Sequence, residues 1–522
     1  MKKEATKQKK PSLFNRFLNG VERVGNKLPH PMALFALFAV GIVVLSGILS
    51  AAGFSEVGDL INRTTGEIET QNIEVKSLFN LNGIVYMLEH AVSNFTGFAP
   101  LGVVLVAMLG VGVAESSGWI GALLKKTVQL TPRKIITPIV VFLGVMSNIA
   151  GDAGYVVLIP IGALMFMAYG RHPLAGLAAA FAGVSGGFSA NMLIGTLDPM
   201  LAGITNEAVK IIDPSYEVLP TGNWFFMCAS TIVITIIGTL VTDRIVEPRL
   251  GAYEKTADIV DFGDNSLNAT ETKALKLANT VFLIMVIGII AILIPSNSFL
   301  RNPETGSLVE KSPFMNGIIP LIMIFFLVPA VFYGKKAGTF SSHRDVCSSM
   351  GNAMATMSSY IALVFVSSQF INYFKYTQIG TIIALKGAKF FESAGIGPIP
   401  LMLLFVLFSA FANLFMGSAS AKWTFLAPVF VPMFMLLGFS PELAQCAYRI
   451  GDSCTNLITP LMSQFATIVV FTRRYDEKAG IGTLISMMLP YTIFFMLGWS
   501  ALLVIWMVTG MPLGPGAPLM LG

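Results

Sequence analysis

Long uncharged stretches recur along the chain, separated by short charged segments. Windows free of Asp, Glu, Lys and Arg cover 31–55, 91–114, 218–242, 277–300, 312–334, 346–374 and 481–508. About 20 apolar residues cross the hydrocarbon core as a helix, so each window predicts one span. Two further blocks, 174–206 and 441–472, are apolar with a polar interruption and predict broken helices. That makes nine spans.

Residues 135–170 hold one charge, Asp152, and are too long for one helix yet tight for two. The block breaks at Ser147-Asn148-Ile149-Ala150-Gly151-Asp152-Ala153-Gly154, which leaves arms of about 15 residues, short of a span. A re-entrant hairpin follows. Residues 398–439 break likewise at Gly417-Ser418-Ala419-Ser420-Ala421-Lys422. Irregular backbone at that depth persists only inside protein or against a watery cavity. The predicted fold is an all-α polytopic membrane protein of nine transmembrane helices plus two re-entrant hairpins.

The two halves align at an offset of 268 residues: Pro160 falls on Pro428, Pro173 on Pro441, Gly183 on Gly451, Ser185 on Ser453, and Tyr155 on Trp423. In each half a hairpin with a polar tip precedes a long helix interrupted by polar residues, at 185–191 and at 451–456. The first hairpin opens from the cytoplasm and the second from the other side, so the repeat is inverted. Opposed repeats with broken helices are the sequence mark of secondary transporters, whose sites lie near the midplane where the breaks meet.

Sidedness follows from Lys and Arg. A cytoplasmic N-terminus places 24 of the 34 basic residues inside and eight outside, with Lys422 and Arg449 at membrane depth. The chain then divides into a basic cytoplasmic segment 1–30, a first half 31–242, a cytoplasmic loop 243–276, a second half 277–510 and a tail 511–522. The first apolar stretch is long enough to remain as an uncleaved anchor. Charged residues make up only 12% of the chain against the usual ~25%, which excludes an ordinary soluble enzyme. The net charge of +5 sits in short loops and suggests no nucleic-acid partner. The four Cys show no paired spacing, and His30, His90, His172 and His343 fall at loops or span ends, without a metal cluster. No Gly-x4-Gly-Lys-Ser/Thr loop is present, which excludes ATP-driven transport by this chain alone.

The candidate chemistry lies at the breaks. Half-helix N-termini favour anions, and freed carbonyls favour cations. Asn148, Asn191 and Asn456 offer neutral oxygens for Na⁺, or simply join helices. Asp152 is a proton-site candidate, or reaches cytoplasmic water. Arg449 and Asp452, three residues apart, either neutralise each other or line a pathway, with Arg449 on a substrate carboxylate and Asp452 on a cation or proton. Ser418 and Ser420 cap a half-helix, bind ligand, or do both. Lys422 reads as snorkelling to the surface, outside the site. Asp198 precedes Pro199 and can satisfy freed backbone.

With these features in place, the chain resembles the p-aminobenzoyl-glutamate transporter (AbgT) family over roughly 31–510. The resemblance is carried by Gly183-Val-Ser-Gly-Gly-Phe-Ser-Ala-Asn-Met-Leu-Ile-Gly-Thr-Leu-Asp198-Pro199, by Gly417-Ser-Ala-Ser-Ala-Lys-Trp423 and by Tyr448-Arg449-Ile-Gly-Asp452-Ser-Cys-Thr-Asn456-Leu-Ile-Thr-Pro460. It implies a homodimer in the bacterial inner membrane, no cofactor and no enzymatic activity. It also implies transport of p-aminobenzoyl-glutamate-like compounds or efflux of sulfonamide antimetabolites, coupled to Na⁺ or H⁺. The family's substrate residues map onto Asp198, Ser418, Trp423, Pro441, Arg449, Asp452 and Pro460, and its Na⁺ position maps onto Asn413 and Asp452. On this reading Trp423 stacks on the aminobenzoyl ring, the alternative being an interfacial belt residue. A Na⁺-coupled dicarboxylate carrier is the competing function.

Overall fold

The computed structural model describes residues 29–61, 68–150, 154–253, 267–309, 311–462 and 464–521. Asp152, the proton-site candidate, lies outside the described residues. The chain is a polytopic helical membrane protein. Seven helices are long and apolar enough to cross a bilayer, and counting two bent pairs as single spans gives up to nine. The peripheral helix Ala269–Leu293 is only 11% buried inside the protein over its most apolar window, whereas the same measure reaches 67% for Ala419–Leu436. The core therefore lies around the hairpins and the broken helices.

Both predicted hairpins form. The first has arms Ile136–Ser147 and Ile159–Ala168, the second Pro398–Asn413 and Ala419–Leu436. The first broken helix runs over Pro173–Phe181, widens into a π-turn to Gly186, unwinds over 187–196 and resumes at Leu197–Val209. The second runs over Pro441–Thr455, tightens into a 3₁₀ turn Asn456–Ile458 and resumes at Phe465–Arg473. The predicted interruption at 451–456 therefore needs correction, since 451–455 is continuous helix. The helix gives way around Pro460, which offers no N–H and clashes with the preceding turn.

Gly451 is not a breaker but a contact. A Cβ there would stand 2.3 Å from the Val406 carbonyl oxygen, and one on Gly183 would stand 2.3 Å from that of Val141. Each broken helix thus lies backbone-to-backbone on the first arm of its own hairpin, an approach only glycine permits. Hydrogen bonds repeat the correspondence. Asn191 Nδ2 donates to the Val145 carbonyl at 3.4 Å, and Thr459 Oγ1, 268 residues later, to that of Asn413 at 3.4 Å. Asn148 Nδ2 donates to the Val184 carbonyl at 3.0 Å and Asn413 Nδ2 to that of Asp452 at 2.7 Å. The acceptors are 268 residues apart and the donors only 265, so this likeness is one of contact and not of register.

Three elements were not foreseen. An antiparallel β-hairpin pairs Ser55–Ile61 with Ile68–Glu74. The short helices Trp119–Gln129 and Ile379–Ser393 occupy stretches between the predicted spans and hairpins. Lys386 and Lys389 of the latter helix bind Glu56 at 3.1 and 2.6 Å, which ties it to the β-hairpin. The two lysines hold the Glu56 carboxyl below its usual range, with Lys389 the stronger partner.

Candidate functional site

The helix Pro441–Thr455 buries every one of its residues, charged ones included. Its Ser440 cap and its Pro441 start are ordinary helix-opening signals. Pro441 sits about three turns from Asp452 and is not among the residues lining the cavity at Ser418 and Ser420.

Arg449 and Asp452 do not pair with each other, and the third charge of this helix, Glu442, accepts from Tyr216 Oη at 2.9 Å. Arg449 Nη2 lies 2.7 Å from Asp198 Oδ1 and donates to the Ser189 carbonyl at 2.8 Å. Asp198, at the start of the resumed first-half helix, also accepts the Gly195 N–H through Oδ2 at 2.7 Å. It thus caps freed backbone and neutralises Arg449 at once. Asp452 Oδ1 lies 2.6 Å from Lys422 Nζ and accepts from Tyr448 Oη at 3.3 Å.

Lys422 does not snorkel. Its side chain is 0% exposed, and its ammonium also donates to Asn413 Oδ1 and, at 3.1 Å, to the Met416 carbonyl. The lysine is enclosed because the second hairpin folds its tip back against Pro441–Thr455, where Asp452 offsets the cost of burying a cation. Asn413 Nδ2 donates to Asn456 Oδ1 at 2.8 Å and to Thr455 Oγ1 at 2.9 Å, so its carbonyl end faces the lysine. The position expected for Na⁺ between Asn413 and Asp452 is filled by this ammonium, and the oxygens there do not fit a free cation while Lys422 holds them.

Several buried polar atoms remain without a hydrogen-bond partner: Arg449 Nε and Nη1, Asp452 Oδ2, Ser189 Oγ and Asn148 Oδ1. Idle buried donors are costly, on the order of 1–3 kcal/mol each and more on a charged group. Two of them belong to one guanidinium, on its opposite edges, and leave it able to take further acceptors.

A cavity of about 690 Å³ lies beside this cluster, lined among others by His30, Tyr155, Phe188, Phe415, Ser418 and Ser420. Asn456 reaches its wall as well. Ser418 caps the second arm by accepting the Ala421 N–H at 3.4 Å, and its hydroxyl is 3.3 Å from that of Ser420. Arg449 lies behind the unwound segment: Phe188 faces the cavity, and the next residue, Ser189, takes the arginine on its carbonyl and Ser453 Oγ on its N–H. Trp423 lines none of this space. It is fully buried, stacked on Tyr448 with centroids 4.5 Å apart, and donates to Thr205 Oγ1 at 2.9 Å. Pro460 marks the second break, and Asn191 turns its carbonyl to the Leu193 N–H at 3.1 Å. Among the described residues no cluster of three or more His, Cys, Asp or Glu is placed to hold a metal ion.

The aromatic wall of Tyr155, Phe188 and Phe415 was not expected from the sequence. Tyr155 carried a signal, because the repeat places it on Trp423. Lys422 carried one too, being a cation at the tip of a hairpin predicted to lie in the membrane.

Residues 16–521 match the profile of the AbgT putative transporter family. The chain is 40% identical to the p-aminobenzoyl-glutamate transport protein of Escherichia coli K12 over 498 residues, 95% of either chain. Two solved structures superpose closely. One is the YdaH transporter of Alcanivorax borkumensis, with a TM-score of 0.87 and 44% identity over 93% of this chain and all of that one. The other is MtrF of Neisseria gonorrhoeae, described as illuminating a class of antimetabolite efflux pumps, with a TM-score of 0.90 and 47% identity over 96% of this chain and all of that one.

Proposed function

Because the chain belongs to the AbgT putative transporter family, we propose that it is an ion-coupled secondary carrier of p-aminobenzoyl-glutamate and related aromatic carboxylates or sulfonamide antimetabolites. It works by alternating access, as a homodimer in the bacterial inner membrane with its N-terminus in the cytoplasm. H⁺ and Na⁺ are the candidate coupling ions.

One observation carries this reading: Arg449 is buried in the core, with Nη2 committed to Asp198 and Ser189 while Nε and Nη1 stay idle. A substrate carboxylate brought to either edge of the guanidinium gives one of the idle groups its acceptor. The aromatic wall of the adjoining cavity takes an aminobenzoyl ring, and Ser418 and Ser420 offer hydroxyls to its polar groups. Passage from the cavity to Arg449 requires the unwound segment 187–191 to move. This segment lacks regular helix hydrogen bonds, and local opening favours such backbone. Asp198 holds the guanidinium in place and keeps the site neutral before substrate arrives.

The test is uptake of labelled p-aminobenzoyl-glutamate into proteoliposomes under imposed H⁺ or Na⁺ gradients, with a small aliphatic dicarboxylate in parallel. Gradient-driven flux of the aromatic compound, lost in Arg449→Gln, supports the reading. Flux of the dicarboxylate alone would replace it with the dicarboxylate carrier.

A further inference from the structure

We propose that Lys422 is a tethered cation that stands in for a diffusible Na⁺ at the second hairpin, so that this site binds no Na⁺ while Lys422 is in place. The proposal concerns the coupling part of the carrier reading and rests on that reading only for what a flux measurement means.

Three oxygens converge on Lys422 Nζ: the Asp452 carboxylate at 2.6 Å, the Met416 carbonyl at 3.1 Å and Asn413 Oδ1. One anionic and two neutral oxygens form the donor set of a hard cation. The hairpin tip supplies the carbonyl, because the helix ends at Asn413 and does not restart until Ala419. Asn413 is held with its oxygen inward by its bonds to Asp452, Thr455 and Asn456. The result is an ion cage whose occupant is covalently attached.

Charge balance argues the same way. Lys422 neutralises Asp452, and Arg449 neutralises Asp198. Among the described residues no other charged side chain is paired into the cluster, and Glu442, buried on the same helix about three turns away, accepts from Tyr216 Oη at 2.9 Å. The arm Pro398–Asn413 carries no charged residue, and on Ile379–Ser393 Lys386 and Lys389 are engaged with Glu56. On Leu197–Val209 the remaining acid, Glu207, pairs with Lys210. With no anionic substrate bound, a Na⁺ added to this neutral core would leave one uncompensated buried positive charge.

The experiment compares thermal unfolding of the purified full-length protein in NaCl and in N-methylglucamine chloride at equal ionic strength. The wild type is expected to be indifferent to Na⁺. Lys422→Ala opens the cage and is expected to melt lower, with a saturable rise of several degrees on adding Na⁺ that Lys422→Ala/Asp452→Asn lacks. Lys422→Arg, which keeps the cation, is expected to ignore Na⁺. Saturable Na⁺ stabilisation of the wild type would overturn the proposal, as would a folded Lys422→Ala that ignores Na⁺. Where Lys422→Ala does not survive purification, it is solubilised in each salt: recovery in NaCl alone supports the cage, and equal loss in both counts against it. A Na⁺-indifferent wild type that moves no p-aminobenzoyl-glutamate would sink the carrier reading and leave the tethered cation standing.

Discussion

Arg449 and Asp452 sit three residues apart on one buried helix and bind different halves of the protein. Arg449 reaches Asp198 of the first half at 2.7 Å, and Asp452 reaches Lys422 of the second hairpin at 2.6 Å. The helix Pro441–Thr455 is therefore tied across the repeat through Arg449 and fastened to its own hairpin through Asp452.

The Arg449–Asp198 pair separates binding from folding. Arg449→Lys keeps a cation for Asp198 but loses the idle guanidinium donors. It is expected to raise the KM for an anionic substrate about tenfold, roughly 1.4 kcal/mol, with little change in the melting temperature. Asp198→Ala leaves a buried arginine uncompensated and is expected to cost about 3–5 kcal/mol, visible as a lower melting temperature together with loss of uptake.

Lys422 and Asp452 form a double-mutant cycle. Lys422→Met and Asp452→Leu each strand a buried charge and are expected to cost about 3–5 kcal/mol. The double variant is expected to lose clearly less than the sum, since apolar side chains then replace both charges. Additive losses in denaturant melts would show that the two groups do not interact.

Gly183→Ala and Gly451→Ala test the backbone contacts of the repeat. Each added methyl meets a carbonyl oxygen 2.3 Å away, and overpacking of this kind costs about 1–3 kcal/mol. Gly288→Ala meets nothing within 4 Å and serves as the neutral comparison. Equal melting temperatures for the three variants would refute the contact argument.

His172 gives a pH response outside the spanning segments. Burial pushes its imidazole below the ordinary range, and its Nδ1 accepts the Leu174 N–H at 3.2 Å to cap the first broken helix. The neutral ring is the form that caps. The unfolded chain takes up its proton first as pH falls below about 6.5. The stabilisation is therefore complete above that pH and drains away as pH falls through the depressed folded value. His172→Asn, a cap that does not titrate, is expected to flatten this part of the melting-temperature profile between neutral and mildly acidic pH.

The spans, both hairpins and the repeat were legible because each depends on a one-dimensional signal: uncharged length, a polar tip, or Pro and Gly at a fixed offset. The second break was misplaced because Gly451 looks the same in sequence whether it breaks a helix or admits a neighbouring carbonyl. The alternative that Arg449 and Asp452 neutralise each other fails for a related reason. Spacing of three allows contact along a helix, but the competing partners Asp198 and Lys422 are 251 and 30 residues away, and only the folded hairpin and the first break bring them in. Trp423 shows the limit most clearly, since nothing in the sequence places Tyr448 across its face.

The repeat copies geometry but not charge. Gly154 occupies the place of Lys422 and Val184 that of Asp452, although the same asparagine and glycine contacts surround them. If the two halves exchange conformations during a cycle, the exchanged state is not a degenerate image of the first, because only one half carries an electrostatic latch. The carrier then has a built-in resting side, an energetic lean that persists with no gradient applied.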